Sequence, residues 1–270
     1  LSLAQALILG IIQGLTEFLP VSSSGHLVIF EHILNTRLGD ISFEVFAHTG
    51  TLLAVLVYYR RYIFRLIKRI LTVSGNDDED RAGDDKEIPI SWVWYILIGT
   101  IPAVIIGLLF KDQIEAAFRS IKLVGVVLIL CGFILISTKW ASKAMKNITA
   151  LDAVLIGIAQ ALAITPGLSR SGTTISTGLF LGKNPVRAAD FSFLLSIPAV
   201  AGATVLKLKD VIESPPLTSE IITYLIGGLA SFAVGFLCIM WLLDIIKRGK
   251  FFYFGIYCCL AGLIAVLFIS

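Results

Sequence analysis

Charge is what this chain has least of. Asp, Glu, Lys and Arg make up only 15% of its 270 residues, histidine occurs three times and cysteine four times. Cys131, Cys238, Cys258 and Cys259 lie inside apolar runs without metal-ligand spacing. They read as small packing residues, which excludes zinc and redox chemistry. The basic residues are scattered over several loops, with no stripe and no interleaved aromatics, which excludes a nucleic-acid partner. Residues 2–19 lack a basic leader and a small-residue cleavage site and carry Glu17, so they do not read as a signal peptide; the absent initial Met reads as trimming.

What is abundant is apolar surface: 57% of residues are hydrophobic and the mean hydropathy is +0.90. That composition predicts an all-α polytopic membrane protein. Apolar runs near the roughly 20 residues needed to cross a bilayer occur at 42–59, 91–110, 121–138, 187–206, 219–243 and 251–269, six expected spans. Two more stretches, 2–19 and 151–168, each run into a Pro/Gly/Ser cluster and resume as a second short apolar segment. They predict re-entrant hairpins over about 2–36 and 151–182. The segment 72–89, "TVSGNDDEDRAGDDKEIP", holds seven acids and two bases and reads as a solvated cytoplasmic loop. It lacks the alternating ligands and closing Glu of a calcium loop.

The two halves, 1–140 and 151–270, are related. "LGIIQGLTEFLPVSSSGH" (9–26) aligns without a gap to "IGIAQALAITPGLSRSGT" (156–173), matching Gly10/Gly157, Gln13/Gln160, Leu15/Leu162, Ser22/Ser169, Ser24/Ser171 and Gly25/Gly172. Phe43 against Phe191 and "IGTIPAVIIG" (98–107) against "IGGLASFAVG" (226–235) are weaker echoes. Each half thus carries one hairpin and three spans, and an odd number of spans inverts the second copy. With 60–90 inside, the loops 60–90, 139–150, 183–187 and 247–250 collect fifteen Lys/Arg, against six in 37, 111–122 and 207–209. That bias supports an inverted-topology repeat whose first hairpin enters from outside. Inverted repeats place their site where the broken helices meet, and two helix starts meeting there make an anion site.

Arg170 is the strongest candidate, a guanidinium flanked by apolar hairpin with Ser169, Ser171, Gly172 and Thr174 beside it. Its fork of donors suits phosphate oxygens. The alignment sets it opposite Ser23 in "PVSSSG", among Ser22, Ser24 and Gly25. His26 follows Ser22 by four and Ser23 by three residues, so a helix starting near 22 turns the imidazole toward either hydroxyl. Glu17, four residues after Gln13, could orient His26, hold a divalent cation beside a phosphate, or pair with Arg170. His32 and His48 have no such company and read as structural.

"GLTEFLPVSSSGH" and "PGLSRSGTTIS" closely resemble the two signature regions of the bacterial undecaprenyl-diphosphate phosphatases, the bacitracin-resistance membrane phosphatases, and the resemblance covers essentially the whole chain. It implies hydrolysis of a lipid diphosphate to its monophosphate in the bacterial cytoplasmic membrane, through a site open to the outer side. By motif position it implies Ser23 as nucleophile, His26 as its acid/base partner, Arg170 as phosphate clamp and Glu17 as the essential acid. Many members carry a second acid where this chain has Gln13, although Gln is also allowed there. That departure weakens any mechanism in which two carboxylates grip a metal. The expected partners are the lipid diphosphate and membrane lipids, with no tightly bound cofactor. A divalent cation such as Mg²⁺ or Ca²⁺ would be bridged by substrate phosphate and Glu17. The sequence leaves a homodimer open.

Two rivals are weighed. A lipid-phosphate or anion transporter would use the same cavity but has no need of a Ser three residues before a His. The type-2 phosphatidic acid phosphatases need a further His and Asp after the "SR", and "SRSGTTISTG" has neither.

Overall fold

The computed structural model describes residues 1–34, 36, 41–71, 89–142, 144–213 and 215–269. The expected loop at 72–89 lies, but for its last residue, outside the described residues. Among the described residues every extended element is helical: α1 (Leu3–Phe18), α2 (Ser23–Ile33), α3 (Ile41–Tyr58), α4 (Arg60–Leu71), α5 (Trp92–Leu109), α6 (Lys111–Phe118), α7 (Ile121–Ser137), α8 (Ala150–Leu162), α9 (Arg170–Phe180), α10 (Pro185–Glu213), α11 (Thr218–Lys247) and α12 (Tyr253–Ile264), the last running into a π-helical turn.

Among the described residues four helices, over Trp92–Leu109, Ile121–Trp140, Pro185–Glu213 and Glu220–Lys247, are long and apolar enough to cross a bilayer. The expected spans 42–59 and 251–269 fall on the shorter apolar helices Ser42–Tyr58 and Tyr253–Ile269. The outer surface is itself apolar, with Trp94, Leu108, Leu109, Leu229 and Phe268 all exposed. Contiguous exposed apolar surface of this kind belongs in lipid. The chain is a multi-pass membrane protein.

Local chemistry explains the breaks between α1 and α2 and between α8 and α9. α1 opens with a capping box from Ser2 and Gln5, and α8 with one from Thr149 and Asp152. α1 stops at Phe18 because Pro20 disfavours helical backbone in the residue before it. α8 stops at Leu162, ahead of Pro166 and Gly167, whose φ of +93° a side chain would resist. Each second helix is then restarted by a serine. Ser22 Oγ accepts from Gly25 N at 3.2 Å, and Ser169 Oγ accepts from Gly172 N at 3.1 Å.

α1 and α8 dock in matching ways. Gly10 lies against the backbone of Gly227 on α11, where an added Cβ would stand 2.9 Å from its Cα. Gly157 lies against Gly99 on α5, where the corresponding distance is 2.8 Å. Gly99 and Gly227 are aligned positions, as are the fully buried Phe43 and Phe191. Phe43 meets Tyr224 of α11 edge-on at 6.1 Å, and Phe191 meets Trp92 of α5 edge-on at 5.1 Å. α3 and α10 pack on one another between these pairs, and α7 packs on α12.

Two helices were not expected. α4 and α6 fall in segments that read as loops, because their charged residues interrupt the apolar runs. In α6 the Lys111–Glu115 pair at 3.7 Å is the i, i+4 contact of an exposed helix face. α10 and α11 run past the expected ends of their spans at 206 and 243, to Glu213 and Lys247.

Candidate active site

The breaks 19–22 and 163–169 come together inside the helix bundle. Ser171 Oγ donates to Leu19 O at 3.2 Å, tying the start of α9 to the first break. From the neighbouring helices, Cys131 Sγ accepts from Ser169 N at 3.4 Å and Cys258 Sγ donates to Pro20 O at 3.5 Å. The cysteines expected to fill space therefore also hold the turn backbone.

Where the breaks meet, one carboxylate joins both motifs. Arg170 Nη2 donates to Glu17 Oε1 at 2.6 Å, and Ser23 Oγ donates to Glu17 Oε2 at 2.7 Å. Gln13 Nε2 donates to the same Oε2 at 3.0 Å. Glu17 is 8% exposed, so its charge is offset by the guanidinium and three donated hydrogens. Arg170 Nη1 is buried with no protein partner among the described residues. A polar donor left unpaired at such depth is costly unless water or a ligand oxygen meets it.

These groups open into a cavity of about 200 Å³ lined by Glu17, Ser23, Ser24, Ser169 and Arg170, together with Glu31, Glu44, His48, Phe118 and Lys207. Lys207 of α10 pairs with Glu44 of α3. Of the other expected site residues, Gln13 is fully buried behind Glu17. Ser22, Gly25, Ser171 and Gly172 lie behind the lining, where they cap and tie the breaks. Thr174 Oγ1 bonds Ser192 Oγ at 2.6 Å and so braces α9 on α10.

One expectation about histidine needs correcting, and a second histidine has neighbours that the sequence does not show. The imidazole of His26 does not face the hydroxyl of Ser22 or Ser23. Its Nδ1 lies 2.9 Å from Ser22 O and its Nε2 lies 2.7 Å from Tyr257 Oη. Because a carbonyl only accepts, Nδ1 carries the proton, and in the neutral imidazole Nε2 accepts from the tyrosine. The cap carbonyl one turn back is the nearer partner for a side chain leaning toward the helix N-terminus. α12 then supplies Tyr257, whose ring stacks on the imidazole at 5.6 Å. His48, which reads along the sequence as structural and without company, has its Nδ1 3.0 Å from Gln13 Nε2 and 3.9 Å from Glu17 Oε2. No spacing within the sequence relates residue 48 to residue 13, so only the packing of α3 on α1 reveals it.

Among the described residues no group of three or more His, Cys, Asp or Glu is arranged to hold a metal ion. Glu17 is engaged by Arg170, Ser23 and Gln13.

An apolar helical bundle with helices able to cross a membrane, and with a hydroxyl, a carboxylate and a guanidinium gathered at an internal cavity, defines a multi-pass membrane protein with a polar site among its helices. The family model for the bacitracin resistance protein BacA matches residues 6–264. The chain is 44% identical over 271 residues to an undecaprenyl-diphosphatase of Korarchaeum cryptofilum, covering 99% of both chains. It is 39% identical over 273 residues to an undecaprenyl-diphosphatase of Methanobrevibacter smithii, covering 99% of this chain and 98% of the relative. With undecaprenyl-diphosphatase 2 of Bacillus thuringiensis it shares 37% identity over 265 residues, 97% of this chain and 96% of the other. The chain belongs to the BacA family.

Proposed function

We propose that this protein hydrolyses undecaprenyl diphosphate to undecaprenyl phosphate and inorganic phosphate, with Ser23 as nucleophile, and so returns the lipid carrier to cell-wall synthesis and confers bacitracin resistance. The observation that carries the reading is the single Glu17 carboxylate held by Arg170 at 2.6 Å and by the Ser23 hydroxyl at 2.7 Å. In the first step Ser23 Oγ bonds the terminal phosphorus as its proton passes to Glu17 Oε2. The anhydride P–O bond breaks and the lipid monophosphate leaves. Water then attacks the phosphoserine, inorganic phosphate departs, and Ser23 Oγ regains a proton through Glu17.

Arg170 neutralises the terminal phosphoryl oxygens, its unpartnered Nη1 serving as the second tine of the fork. The helix starts at Ser23 and Arg170 add partial positive charge. Lys207, the other cation of the lining, answers the lipid-linked phosphate. The leaving group is itself a phosphate and needs little protonation, so positioning and charge neutralisation supply most of the rate. In this reading His26 orients the start of α2, since both of its ring nitrogens are bonded elsewhere. A divalent cation would be held by substrate phosphate and Glu17, with water as its other ligands, and would offset phosphate charge there.

The inverted repeat with two re-entrant hairpins is part of the proposal. It is supported by the docking of Gly10 on Gly227 and Gly157 on Gly99, and by the matched serine caps. In the topology that the positive-inside count supports, the cavity opens outward from the cytoplasmic membrane, because Phe118 and Lys207 come from its outer segments.

The test is phosphate release from undecaprenyl diphosphate by purified protein in detergent, with Ser23→Ala alongside. Release by the unaltered protein, its loss in the variant, and phosphate trapped on Ser23 after acid quenching are expected. A protein that binds the lipid without releasing phosphate would be a transporter, and the proposal would fall.

A further inference from the structure

Gln13 is an amide whose two ends have nearly the same shape and opposite hydrogen-bonding sense. Something beside it must decide which end faces Glu17. A carboxylate only accepts, so Glu17 favours the nitrogen, but a single contact leaves the amide free to pivot. The second contact comes from His48 of α3, whose Nδ1 lies 3.0 Å from the same Nε2. Since the amide nitrogen donates, Nδ1 is the acceptor and the imidazole is neutral with its proton on Nε2. The two hydrogens of one buried amide nitrogen thus go to Glu17 and His48, while Gln13 Oε1 has no partner among the described residues.

We propose that His48 is a positioning residue for the reaction. As a hydrogen-bond acceptor it holds the Gln13 amide nitrogen against Glu17, and the amide in turn holds Oε2 where it meets the Ser23 hydroxyl. Without an acceptor at position 48 one amide hydrogen is left unbonded at a buried site, and the Gln13 nitrogen is held by its contact to Glu17 alone. The amide can then swing about that one contact, and Oε2 loses the fixed donor that keeps it in line with the Ser23 hydroxyl.

The inference rests on the proposed function above and concerns kcat. His48 also lines the cavity, so direct contact with substrate is the competing role, and it would appear in KM. Phosphate release from undecaprenyl diphosphate in detergent separates the two, using the unaltered protein, His48→Phe, His48→Gln, Gln13→Met and the His48→Phe/Gln13→Met pair. His48→Phe removes the acceptor at similar bulk. Displacing a reacting group by an ångström can cost on the order of 10²-fold, so a kcat loss of about ten- to a hundredfold is expected with KM little changed. His48→Gln, whose amide oxygen accepts, should recover most of that loss.

If His48 acts only through Gln13, adding His48→Phe to Gln13→Met should cost nothing further. Thermal unfolding in detergent verifies that each variant is folded, and His48→Ala replaces His48→Phe if the larger ring is not accommodated. A kcat within a factor of about two of normal in both the Phe and Ala variants would overturn the inference, at a cost below that of one ordinary hydrogen bond. So would a loss confined to KM, a His48→Gln variant as poor as Phe, or additive effects in the pair. Absence of phosphate release by the unaltered protein would overturn the proposed function and this role together, whereas normal release with an indifferent His48 overturns only the role.

Discussion

Replacing Glu17 by Gln keeps the shape of the side chain and removes its charge, and the structure lets the consequences be worked out group by group. The carboxylate accepts from Arg170 at 2.6 Å, from Ser23 at 2.7 Å and from Gln13 at 3.0 Å. An amide has one accepting end. If its oxygen faces Arg170, its nitrogen confronts the Gln13 nitrogen; Ser23 can rotate to accept, but Gln13 cannot. Arg170, with its side chain 15% exposed, is left without a countercharge. Breaking a buried ion pair from one side costs about 3–5 kcal/mol. The polar cavity beside Arg170 reduces that toward the roughly 1.5–3 kcal/mol of one charged hydrogen bond. For activity, losing the group that takes the Ser23 proton should lower kcat by about 10²–10⁴.

Thermal unfolding in detergent and phosphate release measure the two effects separately, and the Glu17→Gln/Arg170→Gln pair separates their causes. With both charges gone it should unfold at a higher temperature than Glu17→Gln alone, while remaining inactive. Two results would refute the reasoning: a Glu17→Gln variant within tenfold of normal kcat, or a double variant no more stable than the single one.

Arg170→Lys should keep the fold and the pairing with Glu17 but lose the fork whose second nitrogen, Nη1, is left for a phosphoryl oxygen, so kcat should fall by about 10²–10³; a nearly normal rate would remove Arg170 from the site. The close helix crossings can be tested with glycines. Gly157→Ala would place its Cβ 2.8 Å from Gly99 Cα, between two backbones that cannot both give way, whereas an added Cβ on Gly202 meets nothing within 4 Å. Thermal unfolding should show clear destabilisation at 157 and a neutral or slightly stabilising change, up to about 1 kcal/mol, at 202; equal effects would argue against the crossing.

Much of this was legible along the chain because the controlling interactions are either local or compositional. A helix that must sit in lipid needs an apolar run, and the runs are visible without neighbours. Caps and breaks are also local: Ser22 with Gly25, Ser169 with Gly172, and the prolines at 20 and 166 act over three or four residues. The alignment of the halves placed Ser23 opposite Arg170 from similarity alone, and the structure brings both to Glu17.

What the chain did not disclose depends on partners far away in sequence. His26 has the spacing to reach a serine hydroxyl, and spacing is all that a sequence offers. Its hydrogen bond to Tyr257 spans 231 positions and takes up the nitrogen that the spacing argument would have used. His48 looked isolated because it lies outside both signature stretches, while Gln13, 35 positions away, reaches it only when α3 lies against α1. Lys207 and Glu44 meet across the packing of α3 on α10. Residue types and local turns were decided within a few positions of the chain. The choice of partner for the polar groups that meet across helices was made by tertiary packing, because a buried donor must bond whatever lone pair the fold brings beside it.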